Sequence, residues 1–485
     1  MNAKSKIILI AIIILGLGIR LYNFQSPNRP IFDETFFAQF AADYSLGQPH
    51  FDIHPPLGKM IFSLPLFFTA KENRQTNFLD PTPSAKNGFY RATNSPYDNF
   101  PYIPLRLISV FFGGLIILAA FWLTKNLAGE RAGLWAAFLI AIESGFIEIN
   151  RLIILDGPMI AFGLIALAIF FRSSHCEEHG DAAIPRDSSS PPPIGGWRIR
   201  MTDWLAGIFW GLAISVKLNA AIFLAPIIIA KFLTKNREEK KIFNRRLLIF
   251  FGSGLLTLGF FWIILNNLWI SPTQWIEHYQ FFLPELINNN FLEKISLAAG
   301  WLQPIILFIG SGFLMVNFAL NGYLSIGGTH AASSPWYAWL IGQKPINWGS
   351  NAFLINHFIQ FLVLISLIWL AIKLIKKPTQ KQVLYGASKI KWSEMKPEII
   401  LAGGYILSFL PFIMVNRPTF LYQYLPTYSF GLILVGITIE KILSKMTPNK
   451  KPARGGSALG GKIVTTGLVI ICLISFVLTM PYIYN

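Results

Sequence analysis

Apolar runs close to membrane-spanning length recur from one end of this chain to the other, and that pattern limits what it can fold into. They lie near 6–22, 104–127, 132–149, 153–171, 204–218, 219–233, 247–269, 353–374, 398–415, 419–440 and 462–482. A helix needs about 20 such residues to cross the hydrocarbon core, and in lipid its backbone groups must be satisfied internally. Hydrophobic residues make up 53% of the 485-residue chain and charged residues 13%, a balance outside the range of soluble domains. The expectation is an all-α polytopic membrane protein of about eleven spans, folded as one domain over 1–485. Lys217 and Asn219, central to 204–233, favour a tight turn between two short helices over one long one. Ser296–Leu320 is also apolar, but it contains Gly300, Pro304, Gly310 and Gly312.

Charge orients the bundle. The formal net charge is +17, which by itself would suit nucleic acid. However, Lys and Arg gather in short segments between apolar runs, as in cytoplasmic loops, so a nucleic-acid partner is excluded. Segments 231–246, 373–396 (seven lysines) and 441–462 (five lysines and Arg454) are all basic and belong inside. That arrangement makes 296–320 interfacial or re-entrant and puts the N-terminus in the cytoplasm and the C-terminus outside. Loops 23–103 and 270–352 then face out. The basic, apolar N-terminus lacks a small-residue cleavage site and reads as a retained helix. Cys176 and Cys472 imply no disulfide framework. Segment 173–196 is rich in Ser and Pro and reads as a disordered cytoplasmic insertion. Its HCEEH fits H-x-x-E-H but lacks helical support, so it is not read as a metal site. The basic 441–462 loop suits contact with anionic lipid.

The polar stretch Phe32–Lys59 stands out against this background. It brings Asp33, Glu34, Asp43, Asp52, His54 and Lys59 to the outer mouth of the bundle, where carboxylates mark a pathway or a reaction centre. A lone Asp-Glu pair is ordinarily a solvated or capping feature. Here Phe32, Phe36, Phe37 and Phe40 surround it, so at least one acid faces an apolar wall, a setting that suits a general base towards a hydroxyl. His54-Pro55-Pro56 is a stiff turn. It either anchors the loop or lets His54 or Lys59 approach a phosphate. Arg106, Arg151 and Arg417 sit near the outer ends of spans. Snorkelling is the ordinary explanation for one such arginine, but three on the side poor in positive charge suit a lipid phosphate. Asp156 is placed either to pair with Arg151 or to hold a polar end of the site.

FDETFFAQFAADY, FDIHPPLGK, PLRLISVFFGGL, NRLIILDGPM, SVKLNA, HAASSPWYAWLIGQKPINW and RPTFLYQYLP, in that order, resemble the polyprenyl (dolichyl)-phosphate-mannose–protein mannosyltransferases, membrane glycosyltransferases of the GT-C superfamily. FDxHPPLGK is the specific signal among them. The resemblance implies the GT-C fold, with the active site on the first extracytoplasmic (periplasmic) loop. It implies Asp33 as catalytic base, with Glu34 beside it on the acceptor side or orienting the base. It places Arg106 at the donor phosphate, and Arg151 and Asp156 in an arginine–LD segment. Ser334, Pro335, Trp336 and Trp339 match an outer-loop element, and Arg417, Tyr422 and Tyr424 a late R-x-T-F-x-Y-x-Y run. Gln423 stands where the family often has His. Loop 270–352 is too short for the carbohydrate-binding MIR insert of eukaryotic members, and 173–196 has no counterpart.

The implied activity is inverting transfer of mannose from a polyprenyl-phosphate donor to a Ser/Thr hydroxyl of a secreted or membrane protein, at the outer face of a bacterial inner membrane. Asp33 takes the acceptor proton, while Arg106 and Arg417 neutralise the phosphate. The alternatives are a related transferase moving another sugar, such as aminoarabinose, to lipid A or a glycan, and a transporter of lipid-linked sugar. A transporter would be expected to show paired repeats with broken helices, and no repeat is visible here. No outer His/Asp/Glu constellation has ordinary metal spacing, so no cofactor and no obligatory metal are expected. Transfer should therefore persist in chelator; activity that vanishes and returns with a divalent ion would refute this.

Overall fold

The computed structural model describes residues 1–50, 52–80, 91–180, 195–234, 237–275, 300, 302–321, 332–348, 351–375, 392–413, 415, 418–446 and 457–484. Helix α1 (Ala3–Leu21) leads into a structured polar region holding α2 (Glu34–Leu46), α3 (Leu57–Ser63) and a two-stranded ribbon, β1 (Leu79–Asp80) with β2 (Arg91–Ala92). Then come α4 (Tyr102–Ala128), α5 (Glu130–Ile142), α6 (Ser144–Ile149), α7 (Asp156–Gly180), α8 (Gly195–Val216), α9 (Leu224–Leu233), α10 (Arg237–Gly259) and α11 (Asn266–Trp269). After α12 (Gln303–Asn321), a second ribbon of β3 (Ile346–Trp348) and β4 (Asn351–Phe353) precedes α13 (His357–Ile375), α14 (Trp392–Ile413), α15 (Leu425–Met446) and α16 (Ser457–Tyr484).

The helices pack in a continuous series. Helix α10 lies on α8, α8 on α7, α7 on α4, α4 on α5, α5 on α15, α15 on α14 and α14 on α9, with α1 against α4 and α5. One contiguous apolar core runs through them. Large apolar side chains of α1, α10, α13 and α16 remain exposed, including Ile7, Leu248, Phe361 and Leu478, as befits faces turned to lipid. Among the described residues six helices are long and apolar enough to cross a membrane. The protein is an integral, multi-pass membrane protein.

Several boundaries differ from the sequence expectation. The 132–149 run breaks at Glu143, whose carboxylate accepts from Phe146 N (3.0 Å) and Asn356 N (2.8 Å), capping α6 and docking the start of α13. The 353–374 run gives its first residue to β4, and its helix starts at His357. In 204–233, α8 stops at Val216 and Lys217 is extended (φ −157°), followed by a 3-10 turn over Leu218–Phe223. Within the 296–320 segment, α12 is a regular helix from Gln303. Of the 173–196 insertion, 181–194 lies outside the described residues, whereas α7 continues to Gly180 and α8 begins at Gly195.

Close helix approach depends on small residues, because lipid supplies no hydrophobic drive for helix association. A Cβ on Gly436 of α15 would stand 2.8 Å from Ala136 N and 2.9 Å from Ala132 O of α5, both backbone atoms that cannot swing away. Gly436→Val should destabilise the bundle by about 1–3 kcal/mol, read as a lower melting temperature in detergent. Gly467→Val on α16, where nothing lies within 4 Å, should leave it unchanged.

Candidate functional site

Several helix ends meet at one end of the bundle. These are the starts of α2, α4 and α7, the end of α8, and the turn before α15. Lys231, Lys441 and Lys445 lie towards the other end of α9 and α15, roughly 10–30 Å along those helices at 1.5 Å rise per residue.

Glu34 and Arg106 form the foundation of this end. Both are fully buried. Arg106 Nε donates to Glu34 Oε1 and Nη2 to Oε2, each at 2.8 Å. Its Nη1 donates to Phe24 O (3.0 Å) and Pro27 O (3.1 Å), and Nη2 also to Arg29 O (3.5 Å). Those contacts account for all five guanidinium N–H groups. Tyr97 and Tyr102 lie 5.5 and 5.0 Å from its carbon. Glu34 in turn accepts from Ile31 N (3.3 Å) and Ile153 N (3.0 Å). Arg106 therefore has no donor left for a phosphate, and Glu34 faces inward, not toward an acceptor. The structure thus brings the two residues together as one buried ion pair.

Asp33 turns the other way. Adjacent residues at a helix start project about 100° apart, so one acid enters the core while its neighbour reaches the surface. Asp33 is half-buried, caps α2 with its carbonyl (Phe37 N, 3.1 Å), and its Oδ2 accepts from Tyr422 Oη at 2.8 Å. Tyr422 sits in the 3-10 turn Leu421–Tyr424, its ring flanked by Phe32 (5.6 Å) and Phe420 (6.0 Å). Lys217 Nζ lies 5.0 Å from the centre of that ring and 2.8 Å from Asp156 Oδ2. Lys217 is 4% exposed and Asp156 fully buried.

The other expected site residues are dispersed. Arg151 does not pair with Asp156. It donates to Ile483 O (3.0 Å), Tyr22 O (3.2 Å) and Asn23 O (2.8 Å), with Glu148 at 3.7 Å, so it clamps the ends of α1 and α16. Lys59, 2% exposed, donates to Asp52 Oδ2 and to His54 O, both at 2.7 Å. Its ammonium thus braces the 52–59 segment, and the His54 ring lies against Phe37. Tyr424 is buried, bonded to Tyr405 Oη (2.7 Å) and Gln360 Oε1 (3.0 Å), away from Asp33. Trp336 is half-buried against Phe409, in a loop joined to the Tyr422 turn through Ser334 N and Thr419 O (2.8 Å). Arg417 lies outside the described residues. At the far end of α2, burial pushes the Asp43 carboxyl up to about 7, with His50 Nδ1 at 3.7 Å.

Lys217 is the residue that sequence reading missed, taken only as a turn former. Its signal was present: a lysine inside an apolar run is a functional hypothesis by default.

Two solved structures share this arrangement of helices. The protein O-mannosyltransferase Pmt1–Pmt2 complex of Saccharomyces cerevisiae, bound to its sugar donor, matches with a TM-score of 0.75 at 15% identity, over 100% of this chain and 90% of that one. The apo oligosaccharyltransferase of Archaeoglobus fulgidus matches with a TM-score of 0.56 at 15% identity, over 99% of this chain and 56% of that one. At such identity the likeness is one of fold, and the fold is the GT-C type of multi-pass membrane protein. Residues 10–269 match the family model for dolichyl-phosphate-mannose-protein mannosyltransferase, and 311–485 the model for the C-terminal four TMM region of protein-O-mannosyltransferase. The chain belongs to the dolichyl-phosphate-mannose-protein mannosyltransferase family. Among relatives, dolichyl-phosphate-mannose–protein mannosyltransferase 1 of Candida albicans is 32% identical over 174 residues, 35% of this chain and 18% of that protein. Protein O-mannosyl-transferase 1 of Homo sapiens is 28% identical over 182 residues, 37% of this chain and 22% of that protein. The matched stretches span about a fifth of those relatives' length.

Breaking the buried pair should be costly. Glu34→Ala leaves a buried guanidinium uncompensated and should destabilise by about 3–5 kcal/mol, measured by thermal unfolding in detergent. Arg106→Met should do the same, whereas a phosphate ligand would keep stability and lose donor affinity.

Proposed function

We propose that the protein transfers a mannosyl residue from a polyprenyl-phosphate donor to a Ser/Thr hydroxyl of a protein, with inversion, at the extracytoplasmic face of a bacterial cytoplasmic membrane. Asp33 is the general base. As the hydroxyl oxygen attacks C1 of the sugar, Asp33 takes its proton. The C1–O bond to the phosphate breaks, and its electron pair stays on the phosphate oxygen. The observation that carries this reading is the division of the acid pair: Glu34 is neutralised in the core, and Asp33 reaches the surface, aimed by the Tyr422 hydroxyl. Arg417, five residues before Tyr422 in the chain, is assigned to the leaving phosphate in place of Arg106. Lys231, Lys441 and Lys445 at the opposite end of the bundle support an outward-facing site.

The test is transfer from radiolabelled polyprenyl-phosphate mannose, with peptide and lipid acceptors offered side by side. Asp33→Asn should insert and melt like wild type yet lose about 10²–10⁴ in rate. Near-normal transfer by that variant would remove Asp33 from the chemistry. Label appearing on lipid and not peptide would reassign the acceptor.

A further inference from the structure

The Asp156–Lys217 pair is not explained by stability. Two charges taken out of water seldom repay their desolvation, and an apolar pair of similar volume usually serves the fold as well. Asp156 lies in the first turn of α7, where the helix dipole favours an anion, and its Oδ1 has no hydrogen-bond partner. Lys217 is held from both sides: its own N–H bonds Ala213 O (3.1 Å) and its carbonyl accepts from Ala220 N (3.0 Å). The extended backbone there turns the side chain from the end of α8 toward Asp156 and the Tyr422 ring.

We propose that Lys217, locked by Asp156, and Tyr422 act in series as positioning residues for the Asp33 carboxylate. The inference rests on the reading of Asp33 as base. A desolvated ammonium near an aromatic ring is attracted to it and draws electron density from the phenol, so the hydroxyl becomes a better donor. Phe32, Phe420 and Phe353 pack around the Tyr422 ring, so its hydroxyl has little freedom to leave Asp33 Oδ2. A hydrogen bond to the ionised carboxylate favours that form, which is the form a base requires. Among the described residues, the charged groups on the elements around Asp33 include Glu34, bound by Arg106 of α4, Asp156 of α7, and Lys217 after α8. His54, in the segment before α3, lies against Phe37, which is one turn along α2 from Asp33. Lys217 is the cation of this set that reaches the Tyr422 ring.

The experiment is a double-mutant cycle on the full-length protein in detergent, reading kcat, donor KM and the pH–rate profile. Tyr422→Phe should lower kcat by about tenfold or more, leave donor KM unchanged, and move the acid limb of the profile to higher pH. Lys217→Met should act in the same direction and add nothing on top of Tyr422→Phe, because its effect passes through that ring. Asp156→Asn combined with Lys217→Met removes both buried charges, so a folded protein without the cation is available if Lys217→Met alone does not fold. Additive effects, a raised donor KM on removing Lys217, or an unmoved acid limb would overturn the proposal. The first two would place Lys217 on the donor itself. If instead Asp33→Asn keeps its activity, the base assignment fails, a result the cycle cannot mimic.

Discussion

The geometry of the functional end depends on one buried ion pair. Arg106 grips Glu34 through two parallel bonds and holds three carbonyls of the 24–29 turn, while Glu34 reaches Ile153 N on the far side. A pair like this adds little net stability, but each partner is intolerable without the other. Its effect is therefore positional. It binds the end of α1, the start of α2, the first turn of α4 and the segment before α7 into one rigid corner. Asp33, the residue just before Glu34, inherits its direction from that corner.

Tyr422 then joins the two parts of the chain. Asp33, Asp156 and Lys217 all belong to the segment matched by the first family model, and Tyr422 to the segment matched by the second. The hydroxyl-to-carboxylate bond spans 389 positions of sequence. Such a site exists only when α15 has packed against α5 and the loop around Ser334 has bonded to Thr419. Its polar members are few and sit at helix ends, with the apolar bundle behind them. That surrounding lowers the local dielectric and strengthens each interaction within it.

The remaining arginines and lysines show how the fold redistributes charge. Arg151 closes the bundle by holding carbonyls at the ends of α1 and α16. Lys59 braces the Pro-Pro turn through Asp52 and the His54 carbonyl. Both are buried and make most of their hydrogen bonds to the protein's own carbonyls and carboxylates, so the fold itself gives them a structural use.

Long apolar runs separated by basic loops dictate a helical membrane bundle, since hydrocarbon tolerates no unsatisfied backbone, and this much was legible in residue order alone. So was the concentration of acids in 32–59, together with the motif order that marks the family. The partner of each charge was not legible. The alternation that sends Glu34 inward and Asp33 outward is local, but whether Arg106 meets a carboxylate or a phosphate depends on what packs beside it. Likewise Asp156 lies five positions from Arg151 yet bonds Lys217, sixty-one positions away, because α7 and α8 pack together. Ion pairs inside a bundle are chosen by proximity in space, and only the packed helices determine that proximity.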